Sequence, residues 1–180
     1  MTFQQKLMVI TTFAALIAIA ALSRKPSSSP RAGATLIFGE GVALWLGVVA
    51  GALIVVGIVS HTLLRHFIQI APLVVAVSLL VRRSPWGVNA AAPLFAFWFL
   101  VMGAIWLFLF GVARIFTGTF TPTEVTLTVI IGAASLLGLG ATYRRGTTTP
   151  LVPRVFAIVI LAILQFAAMW LSVQPFVARR

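Results

Sequence analysis

Six long apolar runs, separated by short clusters of Arg, Ser, Thr, Gly and Pro, account for most of the chain. The clearest is Ala91 to Ala113, AAPLFAFWFLVMGAIWLFLFGVA, 23 residues with no charge, amide or hydroxyl. As a helix it reaches roughly 34 Å at ~1.5 Å per residue, enough to cross the ~30 Å hydrocarbon core of a bilayer. A helix resting on a soluble core would keep a polar stripe for water, and this run has none. It predicts a membrane span. The same pattern predicts five more, at 7–22, 34–60, 63–81, 122–143 and 154–173. The expected fold is all-α: a polytopic integral membrane protein, one transmembrane domain over 1–180, built as a bundle of six transmembrane helices with short loops.

Local signals refine the pattern. Lys6 ahead of the first run and Ala18-Ile19-Ala20 within it match a signal peptide, whereas Arg24 and Lys25 directly after it favour a retained span. In the second run Gly47 and Gly51 form a G-x-x-x-G pair, which lets another helix approach closely; packing inside the chain is favoured over self-association. Pro72 interrupts the third run and predicts a kink. The fourth carries Phe95, Trp98, Phe99, Met102, Trp106, Leu109 and Phe110 on one face, a stripe that fills interhelical space, meets lipid or walls a flat apolar ligand. Thr121-Pro122-Thr123-Glu124 writes a helix start in full, with a capping Thr, a first-turn Pro and a Glu three residues after the cap. On the helix that follows, Glu124, Thr128, Gly132 and Ser135 share one small, polar face suited to close contact.

Composition agrees with the pattern and adds sidedness. The chain is 61% hydrophobic and 8% charged, too few charges for a water-facing surface. Its balance of 13 Lys+Arg against 2 Asp+Glu is distributed in ones and twos at the ends of apolar runs. Nucleic-acid binders cluster such residues on one face, so no nucleic-acid partner is expected; headgroup anchoring and topology account for the charge. Spans one, three and five each end in a basic pair, Arg24-Lys25, Arg82-Arg83 and Arg144-Arg145. With Arg31 and Arg154 these loops hold eight Lys or Arg, against five at the other end (Lys6, Arg65, Arg114, Arg179 and Arg180). The positive-inside rule then puts the three loops in the cytoplasm and both termini outside, in a membrane of the bacterial inner (plasma) type.

Little chemistry is written in the chain. There is no cysteine. His61 and His66 lie about 500° apart around a helix, unsuited to ligating one haem. No paired carboxylates, H-E-x-x-H, Ser/His/Asp set or phosphate-cradling loop is present, so an enzyme, a metal site and a resident cofactor are not expected. Polar groups near the outer end are the exception: His61, Arg65, His66, Gln69, Arg114 and Glu124, with Arg65 and Arg114 placed to hold an anionic group and His66 as a donor. Gln165, in the middle of the sixth run, is expected to bond across to Thr128 or Ser135, and Glu40 to pair with Arg82 or Arg144. The expected function is a non-enzymatic membrane protein that binds or passes a small molecule or lipid through its bundle, as in transport. Its candidate residues are Arg65, His66, Gln69, Arg114 and Gln165, with Trp98 and Trp106 as apolar wall. The alternative is an accessory or assembly subunit of a larger membrane complex. Expected partners are membrane lipid and other membrane subunits, or a second copy through Gly47 and Gly51.

Overall fold

The computed structural model describes residues 2–23, 34–113, 120–145 and 149–178, without the side chains of 34–40 and 178. They form α1 (Phe3–Ser23), α2 (Ala34–Val59), α3 (Leu63–Val81), α4 (Gly87–Leu109), α5 (Pro122–Arg145), α6 (Leu151–Ser172) and the short α7 (Pro175–Ala178). The first six are each long and apolar enough to cross a membrane. The protein is an integral membrane six-helix bundle.

Helix ends follow backbone chemistry more closely than they follow the edges of the apolar runs. α1 starts at Phe3, four residues before the run that begins at Leu7, because Thr2 and Gln5 form a capping box. The Thr2 N–H donates to Gln5 Oε1 at 2.8 Å, and the Gln5 N–H donates to Thr2 Oγ1 at 3.3 Å. α5 starts as predicted, the Thr121 N–H donating to Glu124 Oε2 at 2.7 Å and the Glu124 N–H to Thr121 Oγ1 at 3.3 Å.

Three helices end in the same way. After α4, the Val112 N–H reaches Leu107 O and the Gly111 N–H reaches Phe108 O, with Gly111 at φ +71°. That is a Schellman motif, and it ends the fourth span at Leu109 although the sequence stays apolar to Ala113. The same pair of bonds closes α2 around His61 and α3 around Arg83, each at φ +54°. His61 is therefore a backbone corner. The fourth span is accordingly displaced from 91–113 to Gly87–Leu109, and the sixth starts at Leu151, where Pro153 sits in a first turn that needs no N–H from it. α3 continues as one helix through the buried Pro72.

α4 organises the bundle. It touches each of the other five spans, which surround it in the order α1–α6–α3–α2–α5, the ring closing by a narrow α5–α1 contact. From Gly87 to Trp98 every α4 residue is buried, so this half runs along the centre. Beyond Trp98 only one side stays buried, and Leu107, Leu109 and Phe110 are exposed. The outer half of α4 therefore leaves the axis for the perimeter. The aromatic stripe divides accordingly: Phe95, Trp98 and Met102 are interior, whereas Leu109 and Phe110 face outward, Phe110 80% exposed.

The small face of α5 receives the α4 aromatics. A Cβ on Gly138 would fall 2.6 Å from Phe95 Cδ1 and closer to the rest of the ring edge, and one on Gly132 would meet Trp106 at 2.7 Å. The Trp106 indole N–H also donates to Thr128 Oγ1 at 3.0 Å. Gly57 admits His66 of α3 in the same manner. Gly47 and Gly51 do not behave this way. Both are exposed, with nothing among the described residues within 4 Å of a Cβ at either, so the expected close packing inside the chain is corrected. They sit on the outward side of α2, beside Leu44 and Val55.

Candidate functional site

Where α4 leaves the axis, the centre of the ring is left open. A cavity of about 610 Å³ fills the space, at the end of the bundle where α1, α3 and α5 begin. All six spans contribute to its wall. α4 supplies Trp98, Val101, Met102 and Ile105 on one side; α2 supplies Leu53 and Val56, and α6 supplies Met169. From Glu124 to Ile131 the α5 wall descends seven residues, or roughly 10 Å at ~1.5 Å each.

The polar groups are set by the same helix starts that carry the caps. Lys6 lies one turn into α1, Arg65 and His66 lie in the first turn of α3, and Glu124 lies in the first turn of α5; all four line the cavity. Thr128 and Gln69 line it one turn deeper. Among the described residues two permanent cations and one carboxylate thus line the mouth, and Glu124 Oε2 already accepts from Thr121. The mouth is cationic and the interior apolar.

Several of these side chains are held in place. His66 Nδ1 lies 3.1 Å from the Thr62 carbonyl, which can only accept, and 3.2 Å from Thr62 Oγ1, which can donate or accept, so Thr62 fixes the orientation of the ring. Gln69 Nε2 donates to Ser172 Oγ at 2.9 Å and lies 3.3 Å from Met169 Sδ, stitching α3 to α6. Trp98, 2% exposed, has an indole N–H with no partner among the described residues.

The predicted residues therefore separate. Arg65, His66, Gln69 and Trp98 come together around one cavity. Arg114 and Glu40 lie outside the described side chains. Trp106 stands off the cavity, beside an apolar outer groove formed with Val9, Ile10 and Phe13 of α1. Gln165 is fully buried and does not bond to Thr128 or Ser135: its Nε2 donates to Gln69 O at 3.4 Å, and its Oε1 has no partner among the described residues. The reason is topological. α6 contacts α1, α3 and α4 but not α5, because α4 stands between them.

Two groups escaped the sequence pattern. Lys6 reaches the cavity because α1 is extended by its capping box, a signal legible as Thr-x-x-Gln at residues 2–5. At the opposite end, Asn89 Nδ2 donates to Thr149 Oγ1 at 3.1 Å, and Arg154 donates to Leu22 O at 2.5 Å and Thr149 O at 2.7 Å. Arg154 thereby caps the last turn of α1 and ties that helix to α6. Among the described residues no three His, Cys, Asp or Glu side chains gather as a metal would need.

Fold and cavity together define a polytopic membrane protein with a blind, cation-rimmed pocket at one end. No protein-family model, curated protein or solved structure matches the chain.

Proposed function

We propose that this is a non-enzymatic membrane protein that binds a small amphiphilic molecule with an anionic end, taken up from outside a plasma membrane of the bacterial inner type. One observation carries this: a single cavity of about 610 Å³ joins an apolar interior to a mouth bearing Lys6 and Arg65. That volume lies within the ~300–1,000 Å³ usual for small-molecule sites. The excess of Lys and Arg at the opposite end supports an outward-facing mouth, with both termini on the same side.

Binding is favoured over passage through the bundle. Below Trp98, α4 is buried on every side, Phe95 fills the space over Gly138, and Gln69 covers Gln165. A route onward would require separating these contacts. α1 supplies part of the site's wall: Ala14 and Ala18 are fully buried, and Arg154 holds its far end.

The test is calorimetry and native mass spectrometry on the protein in nanodiscs, with dodecyl phosphate as probe. Wild type is expected to bind one equivalent. The double variant Lys6→Gln, Arg65→Gln should bind about tenfold more weakly, a loss of ~1.4 kcal/mol for charge contacts made in a wet mouth. Uptake no greater than by empty nanodiscs, or equal affinity in the double variant, would refute it.

A second reading, an accessory or assembly subunit, is favoured by the exposed Gly47 and Gly51 on α2. It predicts a mass above that of the monomer in mild detergent, reduced to the monomer by Gly47→Leu, Gly51→Leu.

A further inference from the structure

We propose that the cavity is built for one chain: its ligand is a single-tailed amphiphile, seated with its phosphate or carboxylate head at the mouth and its tail ending against Trp98, and two-chain lipids are excluded. This rests on the ligand-site reading above and narrows it to a class. Three features of the geometry lead there.

The first is volume. At ~30 Å³ per water-sized group, about 610 Å³ holds roughly 20 heavy atoms. Once a head group is seated, roughly 15 remain for a tail. A diacyl phospholipid carries far more than this and would have to leave its second chain outside.

The second is closure. The wall is drawn from all six spans, and α4 fills the gap where α1 and α5 barely meet. A second tail reaching for the surrounding lipid would have to part helices that pack on one another around this ring.

The third is polarity along the depth. The cations Lys6 and Arg65 stand at the mouth, whereas Trp98, Val101, Met102 and Ile131 line the deep part. An anion lowered to that depth would lose water without a cation to replace it, so the head stays at the top. The reversed orientation would leave an apolar tail in water above two cations. Glu124 at the mouth opposes any anion, and among the described residues it is one carboxylate beside the two cations Lys6 and Arg65.

The experiment uses the full chain in nanodiscs, with free aqueous ligand measured and empty-nanodisc binding subtracted. Probes are inorganic phosphate, alkyl phosphates from eight to eighteen carbons, the matching fatty carboxylates, and diacyl phosphatidate. Affinity should rise roughly fifteenfold for each pair of added methylenes, since two buried methylenes contribute ~1.6 kcal/mol, and should level off near roughly 15 carbons. Inorganic phosphate should bind at least a hundredfold more weakly than dodecyl phosphate, and excess phosphatidate should not displace it. Alkyl phosphates outbinding carboxylates would identify the head as phosphate, and the reverse as carboxylate; each outcome keeps the single-tail class.

Met102→Ala removes three heavy atoms from the deep wall and should move the plateau about three carbons longer, a shift that mere loosening of the fold would not produce. Affinity that climbs without a plateau, displacement by phosphatidate at equal concentration, or a plateau unmoved by Met102→Ala in a protein that still binds dodecyl phosphate would each overturn the single-tail inference while leaving a ligand site standing. If no alkyl phosphate or carboxylate binds at all, the ligand-site reading fails first.

Discussion

Replacing Gly138 by Ala should destabilise the bundle more than any other single methyl added to its glycines. The added Cβ would lie 2.6 Å from Phe95 Cδ1, and nearer to two other ring carbons, where ordinary contact begins at about 3.4 Å. Phe95 is 1% exposed, so its ring has no open space to swing into. Overpacking of this kind costs ~1–3 kcal/mol. Against that, Ala gains ~0.5–1 kcal/mol over Gly in helix propensity, leaving a net loss of up to about 2.5 kcal/mol. The control is Gly47→Ala, where nothing lies within 4 Å of the new atom and only the propensity gain applies. Reversible unfolding in mixed micelles measures both. Phe95→Leu combined with Gly138→Ala should recover much of the loss, giving a coupling of at least about 1 kcal/mol between the two positions. Gly138→Ala as stable as Gly47→Ala would refute the claim that α4 is seated by an aromatic ring over bare backbone.

Three further outcomes test other parts of the structure. Arg83→Gly should stabilise the protein by about 0.5–1 kcal/mol in the same unfolding assay, because Arg83 holds φ +54° at the end of α3, where a side chain is strained; a loss would show that the Arg side chain contributes more than its backbone costs. Arg154→Ala removes donors to Leu22 O and Thr149 O and should cost about 1–3 kcal/mol, with faster amide exchange in the last turn of α1; unchanged exchange there would remove Arg154 as the tie. Gln165→Leu should change stability by less than about 1 kcal/mol, since the amide makes one 3.4 Å bond and leaves its oxygen unpaired. A loss above about 2 kcal/mol would show the amide to be better satisfied than its geometry allows.

How much of the site could be read from the chain depended on the kind of interaction involved. Arg65, His66 and Gln69 were legible as polar residues opening an apolar run, where insertion into lipid makes such groups costly and hence informative. Thr121 and Glu124 were legible because a capping box is local, spanning four residues. The identical device at Thr2 and Gln5 was just as local, but the apolar run beginning at Leu7 drew the helix start away from it. Lys6 at the cavity mouth was missed with it. Gln165 was recognised as needing a partner, but its partner depends on which helices are neighbours, and no local pattern encodes that. The Gly47 and Gly51 spacing shows the same difficulty: small residues permit close approach without specifying that a helix comes.

The chain by itself determined that six helices cross a membrane, because the need to satisfy every backbone group in lipid makes long apolar runs helical regardless of their neighbours. It determined most of the helix ends as well, through caps that act over a few residues. Only the tertiary structure decided that α4 runs down the centre for half its length and then moves to the rim. That path follows from where Gly132 and Gly138 let Trp106 and Phe95 sit against α5, a match between two surfaces distant in sequence. The cavity is the space the departing helix leaves behind, and so it is a property of the packing rather than of any one segment.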